Sequence, residues 1–111
     1  QLILHPQNNA VDPSDWKLPV FHGMITTRAA ENSVWFASCN ACLEHQNSRC
    51  LVAAPDGTIV AQSELKVEEL LVADIEPARA TRAMFRIGEA LRADGGAPSG
   101  ATLELFEQLR W

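Results

Sequence analysis

Basic stretches, long apolar runs and internal repeats are missing from this 111-residue sequence. Its 9 lysines and arginines are outnumbered by 14 aspartates and glutamates, which gives a formal net charge of −5. The lack of a basic run argues against a nucleic-acid partner. No apolar run approaches the roughly 20 residues of a transmembrane helix, which argues against a membrane protein. What is present, 47% hydrophobic and 21% charged residues, is typical of one soluble globular domain.

Cysteine is also scarce, with only Cys39, Cys42 and Cys50 in the chain. They are odd in number and lie close together, and because the start Q-L-I-L-H-P shows no secretion signal we do not expect a disulfide framework. We therefore expect reduced thiols and a cytoplasmic protein.

The first residues of the chain form a strand-like apolar run. Gln1 leads directly into Leu2, Ile3 and Leu4. Natural domains rarely begin in the middle of a strand, so we expect this sequence to be a piece of a longer protein.

Apolar periodicity and turn residues predict alternating strands and helices. The predicted elements are a strand at 1–5, a helix at 19–32, a buried strand at 33–39, strands at 50–54 and 58–62, a last strand at 69–75 and a helix opened by Pro77. The turn Pro55-Asp56-Gly57 predicts that the two middle strands form a hairpin. This order indicates an α/β layer arrangement.

The centre of the sequence is the stretch 28–40, where a helix leads straight into the buried strand. Its apolar run at 34–37 is unbroken, which is typical of a strand covered on both faces. Phe21, Met24, Ile25 and Arg28 fall at helical spacings of three and four, so we expect this stripe of the preceding helix to face the core and cover one face of the sheet. We expect the second cover to come from a missing segment or a partner chain.

Three chemical hypotheses arise from the cysteines and histidines. Cys39, Cys42, His45 and Cys50 resemble a zinc-ligand set, although their spacing is two residues short of a zinc knuckle. Cys39 and Cys42 also form a C-x-x-C motif, but at a strand end and not at the helix N-terminus that lowers a thiol pKa. A cysteine could pair with His5, His22 or His45 as a nucleophile, and no spacing selects a pair.

The stretch R-A-A-E-N-S-V-W-F-A-S-C-N resembles the R-A-x-E-N…N segment of the nitrilase superfamily, the carbon–nitrogen hydrolases. L-I-L-H-P-Q-N-N resembles the strand and loop that follow the nucleophile in that family. C-L-V-A-A-P-D-G-T-I-V-A and E-E-L-L-V-A-D-I-E-P resemble its hairpin and its last core strand. The four segments occur in the family's order and extend over residues 1–85.

The resemblance implies an α/β fold that is part of an αββα sandwich, with a mixed sheet, two covering helices and a C-terminal tail. It implies hydrolysis of amide, carbamoyl or nitrile bonds by a Cys, a Glu and a Lys, with no cofactor. In the family these residues lie upstream of the segment that Gln1 begins, and none of the three cysteines corresponds to the nucleophile. The chain alone is therefore expected to be inactive.

The resemblance also assigns site residues. The substrate-binding set is His5, Gln7, Asn8 and Asn9, and the site-supporting set is Arg28, Glu31, Asn32 and Asn40. No catalytic residue and no metal ligand is assigned within this chain. Arg28 and Glu31 also have the helical spacing of an ion pair.

The expected partners are a small amide or nitrile substrate of the full-length protein and a second copy of the chain, without nucleic acid or membrane. Residues 1–93 are expected to form the hydrolase portion, 94–101 a flexible linker and 102–111 a tail helix. Two alternatives remain: a non-catalytic oligomerising module derived from the same fold, and a small zinc domain.

Overall fold

A computed structural model describes residues 1–97 and 99–107 of the chain. The elements are β1 (Leu2–Pro6), α1 (Lys17–Asn32), β2 (Trp35–Cys39), β3 (Leu51–Ala53), β4 (Ile59–Gln62), a 3-10 turn (Pro77–Arg79), α2 (Ala83–Ala93) and α3 (Gly100–Glu107). Strands and helices mix as the sequence predicted, so the α/β class is confirmed. None of the helices within these residues is long and apolar enough to cross a membrane.

The four strands form one mixed sheet in the order β1-β2-β3-β4. β1 runs parallel to β2, while β2, β3 and β4 are antiparallel neighbours. The predicted hairpin is confirmed, and Gly57 in its turn has a φ of +84°. A Cβ at Gly57 would lie only 3.1 Å from the backbone oxygen of Thr26. Only glycine therefore fits where the hairpin turn lies against α1.

The α1 helix begins and ends at residues that satisfy its free backbone groups. Asp15 accepts a hydrogen bond from the backbone N–H of Lys17 at 2.9 Å, which occupies one donor of the first turn. At the other end Ser33 takes a left-handed conformation with a φ of 50°, and its N–H bonds to Ala30. This turn sends the chain directly into β2.

One face of the sheet packs against α1 and forms the core. The core residues are Ile25 and Ala29 from α1 with Phe36, Leu51 and Ala53 from the sheet, each no more than 4% exposed. Apolar side chains from both layers thus exclude water from the centre of the molecule. Of the predicted stripe on α1, Ile25 lies in this core. The prediction is wrong for Met24, which is 43% exposed, and for Arg28, which is also exposed, because the sheet covers only part of this side of the helix.

The opposite face is covered at Trp35 by a later part of the same chain. The indole N–H of Trp35 donates to the backbone oxygen of Glu76 at 2.9 Å. The guanidinium of Arg79 lies 5.3 Å from the centre of the indole ring and also pairs with Asp56 at 2.8 Å. The expectation that this cover comes from a missing segment or a partner is therefore wrong for Trp35, which is only 2% exposed.

The strand predicted at 69–75 is wrong. This segment belongs to no strand, and Leu70 and Val72 are 88% and 73% exposed. A strand requires a neighbouring edge for its backbone hydrogen bonds, and within the described residues this segment pairs with neither β1 nor β4. The apolar pattern was present, but it does not by itself provide a partner strand.

The helix predicted to open at Pro77 is divided. A short 3-10 turn ends at Arg79, and α2 begins only at Ala83. Between them Arg82 has a φ of 54° and donates its N–H to the backbone oxygen of Ser33 at 3.2 Å. α3 begins at Gly100, inside the expected linker, and residues 108–111 of the expected tail helix lie outside the described residues.

Candidate functional site

The loops that follow β1 and β2 lie side by side and are joined by amide side chains. The backbone N–H of Asn9 donates to the side-chain oxygen of Asn40 at 3.1 Å. The amide of Asn40 donates in turn to the backbone oxygen of Ser48 at 3.0 Å, and Gln46 donates to Asn8 at 2.6 Å. Because β1 and β2 are parallel, their carboxyl ends meet at one sheet edge, where α/β proteins usually bind ligands.

Cys50 contacts the backbone of Asn40 and helps to fix the loop after β2. The backbone N–H of Asn40 lies 3.1 Å from the Cys50 sulfur, and the thiol lies 3.4 Å from the backbone oxygen of Asn40. The backbone N–H of Cys50 also donates to the Ser63 hydroxyl at 3.0 Å. The contacts of Cys50 are therefore those of a structural residue.

Gln7 and Asn9 form an ordered pair after β1. The backbone N–H of Gln7 donates to Cys39 at 2.8 Å and so continues the contact between β1 and β2. The side-chain amide of Gln7 lies 3.4 Å from the backbone oxygen of Arg49, while its carbonyl accepts a hydrogen bond from the amide of Asn9. Both side chains are thereby held in one orientation.

His5 lies in β1 beside this pair. Its Nδ1 is 3.1 Å from the hydroxyl of Ser38 on β2, and its ring centre is 5.6 Å from that of Phe36. The strand pairing and the aromatic contact fix the direction of the imidazole.

Three of the predicted substrate-binding residues meet α1 at a cleft of about 160 Å³, which we call the Arg28 cleft. The sheet side supplies His5, Gln7, Asn9 and Phe36, and the helix side supplies Phe21, Met24, Ile25 and Arg28. The lining of the cleft therefore combines apolar side chains with polar ones.

Other predicted site residues lie away from the cleft. Asn8 turns toward Gln46, and Glu31 and Asn32 lie exposed at the end of α1. Asn32 donates to the backbone oxygen of Arg28 at 2.9 Å and approaches the Glu31 carboxylate at 3.5 Å. Within residues 1–97 and 99–107 the expected ion pair between Arg28 and Glu31 does not form.

A larger depression of about 360 Å³ lies on the other side of Asn40. The loop after β2 forms one wall, and the segment that contains Glu64 and Glu69 forms the other. Asn40 and Cys50 both line it, so this loop also borders a second open space.

The zinc alternative gains no support from the geometry. In the part of the chain that the structure describes, no three His, Cys, Asp or Glu side chains are grouped closely enough to hold a metal ion. All three cysteines are free thiols, and Cys39 and Cys42 are exposed.

The pKa of His22 is shifted by its surroundings. Partial burial on α1, with a smaller contribution from the charge of Arg49, lowers the pKa of His22 below its ordinary value of 6.5. The neutral ring is therefore favoured in the folded protein.

Some residues of the site were not found from the sequence. Gln46 and Asn47 were assigned only to a polar loop, yet both are buried, and Asn47 donates to the backbone oxygen of Val11. Two amide-rich stretches, Q-N-N and Q-N-S, follow neighbouring strands and could have indicated that their loops bind each other.

The mixed sheet with a helix against one face defines an α/β protein, in which two amide-rich loops meet at the carboxyl ends of β1 and β2. The model of the carbon-nitrogen hydrolase family matches residues 11–84, and the chain belongs to this family. The predicted resemblance is thereby confirmed. A comparison with curated proteins gives no significant match.

Proposed function

We propose that the protein carrying this chain hydrolyses non-peptide carbon–nitrogen bonds in small amide, carbamoyl or nitrile substrates. The observation that carries the proposal is the family match over residues 11–84, which includes α1, the buried strand and the hairpin. In the proposed mechanism a Cys thiolate attacks the carbon, a Glu acts as general base and a Lys stabilises the tetrahedral intermediate. These three residues would come from chain preceding Gln1.

The thiols of this chain have no part in the proposed mechanism. Cys50 is engaged by Asn40 and Ser63. No cysteine–histidine hydrogen bond forms in the two described ranges, so none of the three cysteines is paired with a histidine that could act as its general base.

The proposed contribution of this chain is to shape the substrate pocket at the sheet edge. Gln7, Asn8 and Asn9 would present amide donors and acceptors to a polar substrate. Asn40 would position them, because it binds the backbone of Asn9 on one side and that of Ser48 on the other. A pocket fixed in this way orients a substrate with little loss of entropy on binding.

The test is ammonia release by the natural gene product that contains these residues, measured on a panel of small amides, carbamoyl compounds and nitriles. We expect turnover of at least one class, and we expect Asn40→Ala to lower kcat/KM by roughly tenfold or more because the loop loses its positioning contacts. Gln62→Ala, an exposed amide on β4, is the matched control and should leave kcat/KM unchanged. If the wild-type protein turns over none of the three classes, the proposal is wrong.

The alternative of a non-catalytic oligomerising module is favoured by one observation. Leu4 on β1 is 72% exposed and Leu70 is 88% exposed, both apolar. Exposed apolar groups of this kind commonly mark protein contacts. Sedimentation of the chain should show self-association that Leu4→Lys weakens, and a monomer at high concentration would remove this alternative.

A further inference from the structure

Arg28, an exposed residue of α1, lines the Arg28 cleft and has no protein counter-charge among the described residues. The guanidinium of Arg28 forms no ion pair or hydrogen bond within the described part of the chain. The nearest acidic residue along α1, Glu31, has its carboxylate 3.5 Å from the amide of Asn32. No aspartate or glutamate lines the cleft. An anionic ligand would therefore meet one cation and no opposing charge.

The wall of the cleft is apolar. Phe21 and Met24 from α1 face Phe36 from β2 across a volume of about 160 Å³. A cavity of about 150 Å³ with apolar walls holds one benzene molecule. The space thus suits an apolar body of about one six-membered ring, and aromatic walls favour a flat one.

The polar side chains that line the cleft can bind the oxygens of an anion. Asn9 directs one of its amide protons to the carbonyl of Gln7, and the second proton of that NH2 group has no partner among the described residues. A carboxylate accepts hydrogen bonds from both guanidinium and amide donors. Arg28 and Asn9 together therefore supply the donors that a carboxylate needs.

We propose that the Arg28 cleft binds a small carboxylate attached to an apolar body about one ring in size. This inference deepens the proposed function and rests on the pocket assigned there, because Gln7 and Asn9 belong to both. It names the chemical class of the ligand, and the binding that it describes requires no hydrolysis. A protein that binds the carboxylate without turning over any amide would support it.

The first test is an NMR titration of the full ¹⁵N-labelled chain with benzoate and, separately, with benzyl alcohol. The two probes have similar size, and only benzoate carries a charge. We expect benzoate to shift the amide signals of Gln7, Asn9 and Arg28 with a Kd on the order of millimolar, and benzyl alcohol to bind at least roughly fivefold more weakly. Benzoate binding should also weaken as salt is added.

The second test uses charge variants of the cleft. Arg28→Gln should weaken benzoate binding roughly fivefold or more, while Arg28→Lys, which keeps the charge, should stay within about threefold of wild type. Arg92→Gln on α2 removes an exposed arginine elsewhere and should leave the Kd unchanged.

Three outcomes would overturn the proposal. One is equal binding of benzoate and benzyl alcohol by the wild-type chain, which needs no variant to fold. Another is an unchanged Kd in Arg28→Gln. The third is a set of benzoate-induced shifts that lie outside the cleft.

Discussion

The two faces of the sheet are covered in different ways. The face toward α1 is packed with apolar side chains, and Phe36 there is 4% exposed. The opposite face buries Trp35 beneath Glu76 and Arg79 but leaves Leu4 72% exposed. One face is therefore held by apolar packing over its whole centre, and the other by a few specific polar and cation–π contacts at one position.

The largest expected loss of stability follows a substitution on the sheet face that packs against α1. Phe36→Ala leaves a cavity beneath α1 and should lower the free energy of unfolding by about 3–5 kcal/mol. Leu4→Ala on the opposite face should lower it by less than about 0.5 kcal/mol, because that side chain is already exposed. Urea unfolding followed by circular dichroism measures both values.

If Phe36→Ala does not fold, Phe36→Leu serves in its place, with an expected loss of about 1.5 kcal/mol or less. Equal losses for the Phe36 and Leu4 variants would show that the two faces do not differ in the way described.

We expect an intermediate loss of stability when Trp35 is replaced. Trp35→Phe removes the hydrogen bond to the backbone oxygen of Glu76 and should cost about 2 kcal/mol in the free energy of unfolding. Trp16→Phe is the matched control, since Trp16 is 72% exposed and its replacement should have little effect. The measurement is thermal unfolding, and similar Tm values for the two variants would argue that Glu76 does not cover this face.

Much of the packed face could be predicted from the sequence. Pro19 and the apolar stripe placed the helix within two residues of the observed start of α1, and Pro55-Asp56-Gly57 placed the hairpin. These signals are local, because they depend on backbone conformations that individual residues favour.

The segments that cover the opposite face could not be predicted from the sequence in the same way. The apolar residues at 69–75 indicated burial in a strand, but strand pairing depends on which edges of the sheet are free. Likewise the sequence assigned Phe21 and Met24 to the core stripe. Only the three-dimensional arrangement shows that both lie outside the core, with Met24 43% exposed, and line the Arg28 cleft.

The smallest expected effect is the pH dependence of the face toward α1. The pKa of His22 is lowered in the folded state by burial and then by Arg49, so the unfolded chain takes up a proton at higher pH than the folded chain does. The stability that this provides is fully present above pH 6.5 and is lost as the pH falls through 6.5 toward the folded pKa.

His22→Gln should therefore lose less stability than the wild type between pH 7 and pH 5, measured by urea unfolding at each pH. His45→Gln, at an exposed loop position, is the control and should follow the wild type. A wild-type stability that does not change over this range would contradict the expectation.

The parallel pairing of β1 with β2 has a consequence for the order in which the chain folds. His5 and its partner Ser38 are 33 positions apart. Pairing β1 with β2 therefore closes a long loop, and the entropy lost in closing it opposes the pairing until the contacts have formed. The β3–β4 hairpin closes through a short turn, and hairpins form within about 1–10 μs. We expect the hairpin to form early and β1 to join last, so that the amide-lined edge and the Arg28 cleft are completed only in the final step of folding.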